Sequence, residues 1–156
     1  MKTPFLILCA LPLFNLAAQD TAVTWISNID TTKFNLHYKK RSIPKEFYPI
    51  VGIDNLREIV SANKKYRQGC IGNLPGQRLN WLAKDDNNHW VLSVSFGGRA
   101  HGTKYIFIDR EKGNINVNGF WFSGKDKHDL TLGNAARKAK AGLGLRIDPA
   151  FFRVNQ

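Results

Sequence analysis

His89, Asp109 and Cys70 are the residues of this chain whose types and order could break a bond. In NHWVLSVSFGGRAHGTKYIFID (88–109), two apolar runs flank a glycine-rich turn. His89 opens the first run and Asp109 closes the second. A hairpin that pairs residues whose numbers sum to 198 sets Trp90 opposite Ile108 and Leu92 opposite Ile106, which buries one aliphatic face. The same register sets His89 opposite Asp109 on the other face. A carboxylate beside an imidazole orients its tautomer and stabilises its cation, as a general base requires. A slip of one residue would turn His89 to the other face, so the pair depends on the register. The plain alternative is a polar pair closing an ordinary hairpin.

The order Cys70, His89, Asp109 resembles that of papain-like cysteine peptidases, in which the cysteine precedes a histidine and its polar partner on strands. That resemblance implies a thiolate nucleophile at Cys70. Two features depart from it. Cys70 is followed by IGNLPG, which cannot open a helix whose dipole would lower the thiol pKa, and the interval to His89 is short. A small basic chain with LPG (74–76) ahead of a tryptophan strand also resembles the microbial guanyl-specific ribonucleases. Those enzymes need a glutamate base on a strand and a histidine acid on another. The only glutamate from 78 to 122 is Glu111, expected in the turn REKG (110–113). Neither family is assigned, and a small hydrolase remains the second reading.

Charge supports the first reading, a non-catalytic binding protein. The 156 residues carry a formal net charge of +11. Residues 1–18 have a lysine start, an apolar run (PFLILCALPLFNL) and a small-residue end, the pattern of a secretory signal peptide. Its removal takes one lysine and leaves +10 on about 138 residues, the size of a single domain, 19–156. A secreted or periplasmic location follows. Cys9 leaves with the signal, so Cys70 has no partner for a disulfide. No later run approaches the length of a membrane span. The surplus of cations predicts an anionic protein or envelope polymer as partner, with nucleic acid only outside the cell. An inhibitor or immunity protein acting on a toxin or lytic enzyme fits these features. The candidate binding residues are Lys64, Lys65, Arg67, Arg99, His101, Arg137, Lys138 and Lys140, with Trp121 as an aromatic anchor. His37 and His128 lack the spacing of a metal pair, and phosphate-loop, nucleophile-elbow and dinucleotide motifs are missing, so no metal or cofactor is expected.

The elements that must position these residues read as α+β. TKFNLHY (32–38) alternates and predicts a strand, and Pro44 and Pro49 interrupt the connection after it. Residues 54–67 predict a helix capped by Asp54, with Leu56, Ile59, Val60 and Tyr66 on one face and its cations at the C-terminal end. RLNWLAK (78–84) predicts a strand with Leu79, Trp81 and Ala83 on one side. Strands at 89–96, 103–109 and 114–122 complete an antiparallel meander of four or more strands over 78–122. The third, apolar on both faces from Tyr105 to Ile108, belongs in the centre. The 54–67 helix would cover the sheet, and a second, basic helix is expected near 131–141.

Overall fold

The computed structural model describes residues 25–69, 72–99, 101–111, 114–123, 131–143 and 145–147. Alternation and turn chemistry along 77–123 produce four long strands: β3 (Gln77–Lys84), β4 (His89–Phe96), β5 (Gly102–Glu111) and β6 (Asn114–Ser123). Each pairs antiparallel with the next. Short strands extend both edges. β1 (Asn35–His37) runs antiparallel to the end of β3, β2 (Ile59–Val60) runs parallel to its start, and β7 (Leu145–Ile147) pairs with β6. The sheet order is therefore β1-β3-β4-β5-β6-β7, with β2 beside β3.

The β4–β5 register is the one that sums to 198: His89 lies opposite Asp109, Trp90 opposite Ile108 and Leu92 opposite Ile106. Apolar side chains on both faces of β5 need cover on both sides, and they have it. Tyr105, Ile106, Phe107 and Ile108 are all buried. On one face, Leu79, Leu82, Leu92, Val94, Ile106 and Ile108 pack under Ile43, Phe47, Ile50, Val51, Ile53 and Ile59. On the other, Trp81, Ala83, Val91, Tyr105 and Phe107 pack under Ile26 and Ile29 and under Leu132, Ala135 and Ala136. Full burial of one such aliphatic side chain is worth about 1.5–3 kcal/mol, so both covers contribute.

The helix expected at 54–67 does not form. Residues 54–58 turn, 59–60 make β2, and 61–69 form a loop. Polar side chains compete for the backbone there. Glu58 Oε1 accepts from the amides of Asp54 and Asn55, and Asn55 Oδ1 accepts from the Arg57 amide. Lys40 Nζ donates to the carbonyls of Leu56 (2.5 Å) and Ile59 (3.0 Å), taking acceptors a helix would need. Asn63 sits at φ +61°, outside the helical region. The cover on that face comes from residues 43–53 instead, with α1 (Tyr48–Val51) at its centre. Pro49 does not interrupt this segment. It lies in the first turn of α1, where its missing amide costs nothing. Gly52 at φ +81° ends the helix, and its amide donates to the carbonyls of Tyr48 and Pro49.

The strand expected over 32–38 contracts to β1, because residues 31–33 form a 3-10 turn capped by Asp30. A β-bulge at Asn80 corrects the reading of β3. The register shifts between Leu79 and Trp81, so Leu79 faces one core and Trp81 with Ala83 the other. The buried Asn80 amide donates to the hydroxyls of Ser93 (3.1 Å) and Ser95 (2.9 Å), which satisfies the polar residue inside the sheet. At the far end of the chain, α2 (Leu132–Lys140) is capped by the Thr131 hydroxyl, which accepts from the Asn134 amide.

Candidate functional site

The β3–β4 hairpin builds the site. Asp85 Oδ1 accepts from the amides of Asn87 (2.9 Å) and His89 (2.8 Å), and Asn88 takes the left-handed conformation at φ +63°. That turn brings the Asp85 carboxylate to the imidazole that opens β4. Asp85 Oδ2 lies 2.7 Å from His89 Nδ1. The carboxylate is only 5 % exposed. Asp109 is opposite His89 in backbone register, but it is not the imidazole's partner. The expected His89–Asp109 side-chain pair is thus replaced by His89–Asp85, because a carboxylate four residues away on the same tight turn reaches the ring directly. The DDNNH turn (85–89) carried that signal in the sequence: an aspartate opening a turn accepts the amide two residues on.

The N-terminal segment closes a cleft over this pair. Trp25, Asn28, Ile29, Asp30, Lys33 and Phe34 form one wall, and Asp85, Asn87, His89, Asp109 and Glu111 the other, around about 540 Å³. The Trp25 ring lies 4.6 Å from the His89 ring and meets Phe107 edge-on at 5.9 Å. Hydrogen bonds from the Thr32 hydroxyl and amide hold the Asp30 carboxyl below its usual pKa. Lys33 approaches the same carboxylate at 3.8 Å. Glu111 is the last residue of β5 rather than part of a turn, so it shares the cleft with His89. No pattern in the sequence pointed to the contribution of residues 25–34.

The opposite end of the same strands is basic. There Gln68 and Gly76 are stitched to the residues that follow β4: the Gly97 amide donates to the Gly76 carbonyl (2.9 Å) and the Gly98 amide to the Gln68 carbonyl (3.1 Å). The fit is so close that a Cβ on Gly97 would stand 1.7 Å from the Arg67 carbonyl oxygen. Arg99 and His101 are exposed there, and Arg67 is half-buried, with its guanidinium donating to the Gly72 carbonyl; Lys64 and Lys65 are exposed on the loop that leads to Arg67. Arg78 stacks its guanidinium 4.7 Å from the Tyr66 ring centre. The eight residues of β4 separate this end from the cleft by about 23 Å.

The remaining candidates lie elsewhere. Arg137 and Lys140 are exposed and Lys138 half-buried on α2, on the sheet face away from residues 43–53. Trp121 is half-buried 6.3 Å from Phe96, and its indole N–H has no partner among the described residues. Cys70 lies outside the described residues. One charged residue was not singled out by its sequence context. Lys104 donates to the Val51 carbonyl at the end of α1 (2.9 Å), and burial pushes its pKa down to about 8. Among the described residues, no group of three or more His, Cys, Asp or Glu is placed to hold a metal ion, and no helix is long and apolar enough to cross a membrane. Comparison with protein-family models, curated proteins and solved structures returns no match to this chain.

Proposed function

We propose that this chain is an exported basic binding protein, an inhibitor or immunity protein for an envelope or secreted enzyme, which meets an anionic partner through the basic end of its sheet. One observation carries the reading. Gln68, which follows Lys64, Lys65 and Arg67 on one loop, accepts from Gly98, the neighbour of Arg99, so two cation-bearing segments distant in sequence are tied together. Loops held on a rigid sheet are where binding proteins place their contacts, and a field of one sign steers an oppositely charged partner. An anionic protein is the favoured partner. An anionic envelope polymer would meet the same cations with less demand on shape.

Capture from an envelope extract tests this. Retention is expected to fall as salt rises from about 50 mM to about 500 mM, because exposed charge contacts are screened over a shortening distance. Joint reversal of Lys64, Lys65 and Arg99 to Glu is expected to weaken retention at least about tenfold. Retention indifferent to both changes refutes the proposal.

The His89–Asp85 pair, with Glu111 in the same cleft, favours a second reading as a small hydrolase, with His89 as general base and Asp109 as a further acidic group. The carboxylates of Asp30, Asp85, Asp109 and Glu111 disfavour RNA there by repelling its phosphates, so the substrate would be neutral or cationic. If a purified sample degrades peptidoglycan and the activity vanishes in His89→Ala, this reading replaces the first.

A further inference from the structure

We propose that the cleft lined by Arg57 and Arg67, at the basic end of the sheet, receives a protein C-terminus, with the terminal carboxylate on the two guanidinium groups and the amide N–H of the last residue on Gln77. The inference rests on the docking reading of that end and names what the partner presents there.

The cleft forms where β2 enters the sheet. Ile59 pairs in parallel with Gln77, which sets Arg57 and Glu58, just ahead of β2, beside the start of β3. Arg67 and Leu74 also line the space, which is about 350 Å³, at the small end of ligand sites. The bond from Gly97 to Gly76 and that from Gly98 to Gln68 hold the residues next to Gln77 and Arg67, so the cleft belongs to the basic end.

Arg67 is positioned in advance. Its amide donates to the Pro75 carbonyl (2.9 Å), and its Nη1 donates to the Gly72 carbonyl (3.3 Å). A Cβ on Gly76 would stand 3.4 Å from Nη2, so the guanidinium lies close against backbone that carries no side chain. The rest of its donor fork is left for an acceptor. No carboxylate lies within ion-pair distance of Arg57 or Arg67 among the described residues. Glu58 is turned to its own loop, where Oε1 accepts from the amides of Asp54 and Asn55 and from Asn55 Nδ2. Two guanidinium groups without a carboxylate suit an anion, and a carboxylate can meet such a fork with both oxygens.

Charge alone admits any anion, and Gln77 narrows the choice. Its Nε2 donates to the Gly52 carbonyl (3.0 Å), which fixes the amide, because the flipped orientation sets two oxygens against each other. Oε1 is left buried, with no donor among the described residues. Buried acceptors are nearly always satisfied, so an unsatisfied one in a cleft wall marks the place of a missing donor. The ligand therefore brings an anion and an N–H close together. The last residue of a peptide carries both on one α-carbon, and capture of a terminal carboxylate is an established mode of recognition. Phosphate and sulfate bring the charge without the N–H. Leu74, 49 % exposed, offers an apolar contact for the terminal side chain.

Calorimetric titration of the full chain with N-acetyl-alanyl-leucine at fixed low salt tests this. Three controls accompany it: the C-terminal carboxamide, the depsipeptide with an ester oxygen in place of the last N–H, and inorganic phosphate. Saturable binding of the free acid is expected, weakened about tenfold or more in the carboxamide and in Arg57→Gln, an exposed change. The depsipeptide is expected to bind about fivefold more weakly, the loss of one hydrogen bond. Absence of saturable binding up to about 1 mM, equal affinity for acid and carboxamide or for acid and depsipeptide, unchanged affinity in Arg57→Gln, or phosphate binding as tightly as the acid overturns the inference. If capture from the envelope extract is still lost on reversal of Lys64, Lys65 and Arg99, only this inference falls. Acid-selective binding alongside capture indifferent to that reversal refutes the docking role of those three cations instead.

Discussion

Replacing Lys104 with Met should change the stability of this protein in opposite directions at pH 7 and at high pH. The Lys104 ammonium is drawn into the cover of one sheet face, 2.9 Å from the Val51 carbonyl and 5.7 Å from the Phe96 ring centre, and no carboxylate pairs with it among the described residues. Burial lowers its pKa from 10.5 to about 8. The unfolded chain therefore holds this proton more tightly than the folded one. Below pH 8 the charged lysine costs stability, and the cost is relieved as pH rises from about 8 to 10.5. A shift of that size corresponds to about 3 kcal/mol. Removing the ammonium also leaves the Val51 carbonyl without its donor, a loss of about 1.5 kcal/mol. Lys104→Met is then expected to be more stable than the natural chain by about 1.5 kcal/mol at pH 7 and less stable by a similar amount near pH 10.5. Urea unfolding of both proteins at the two pH values measures the difference. Other lysines and tyrosines titrate in both proteins and cancel. A stability difference that is the same at both pH values refutes the reasoning.

Two further outcomes follow from the ends of the sheet. Asp85→Ala removes the acceptor of two turn amides and of the His89 imidazole, and is expected to cost about 3 kcal/mol in chemical denaturation. A cost below about 1 kcal/mol would mean that water replaces the carboxylate without penalty. Gly97→Ala forces its new methyl against the Arg67 carbonyl, so the chain at Arg67 and Gln68 must lift. A loss of about 2 kcal/mol is expected, with faster amide exchange at Gly98, whose donor to Gln68 sits at that contact. Unchanged exchange there would show that the two loops do not brace each other.

The meander was legible because each strand repeats a local rule many times. In β4 alternate residues from Trp90 to Phe96 are apolar, and the register that sums to 198 sets Trp90 and Leu92 on one face with Ile108 and Ile106. The central place of β5 was equally plain from its four consecutive apolar residues. Residues 54–67 failed for the opposite reason. Leu56, Ile59 and Val60 suit a helix only loosely, and the carboxylate and amide side chains of Glu58 and Asn55 satisfy the local amides without one. Asn80 broke the alternation of β3 with a single extra residue, a signal too small to distinguish from a polar residue facing water.

The candidate site divides along the same line. The sequence by itself determined the net positive charge and the four consecutive strands, since composition and period are properties of the chain alone, whereas the alignment of His89 with Asp109 depended on a register that the structure supplies. Which carboxylate holds the imidazole, which loops brace the basic end and which segment roofs the cleft were decided by tertiary structure. Those outcomes depend on side-chain direction and on contacts between Trp25 and His89, or Arg67 and Gly97, that no spacing along the chain encodes.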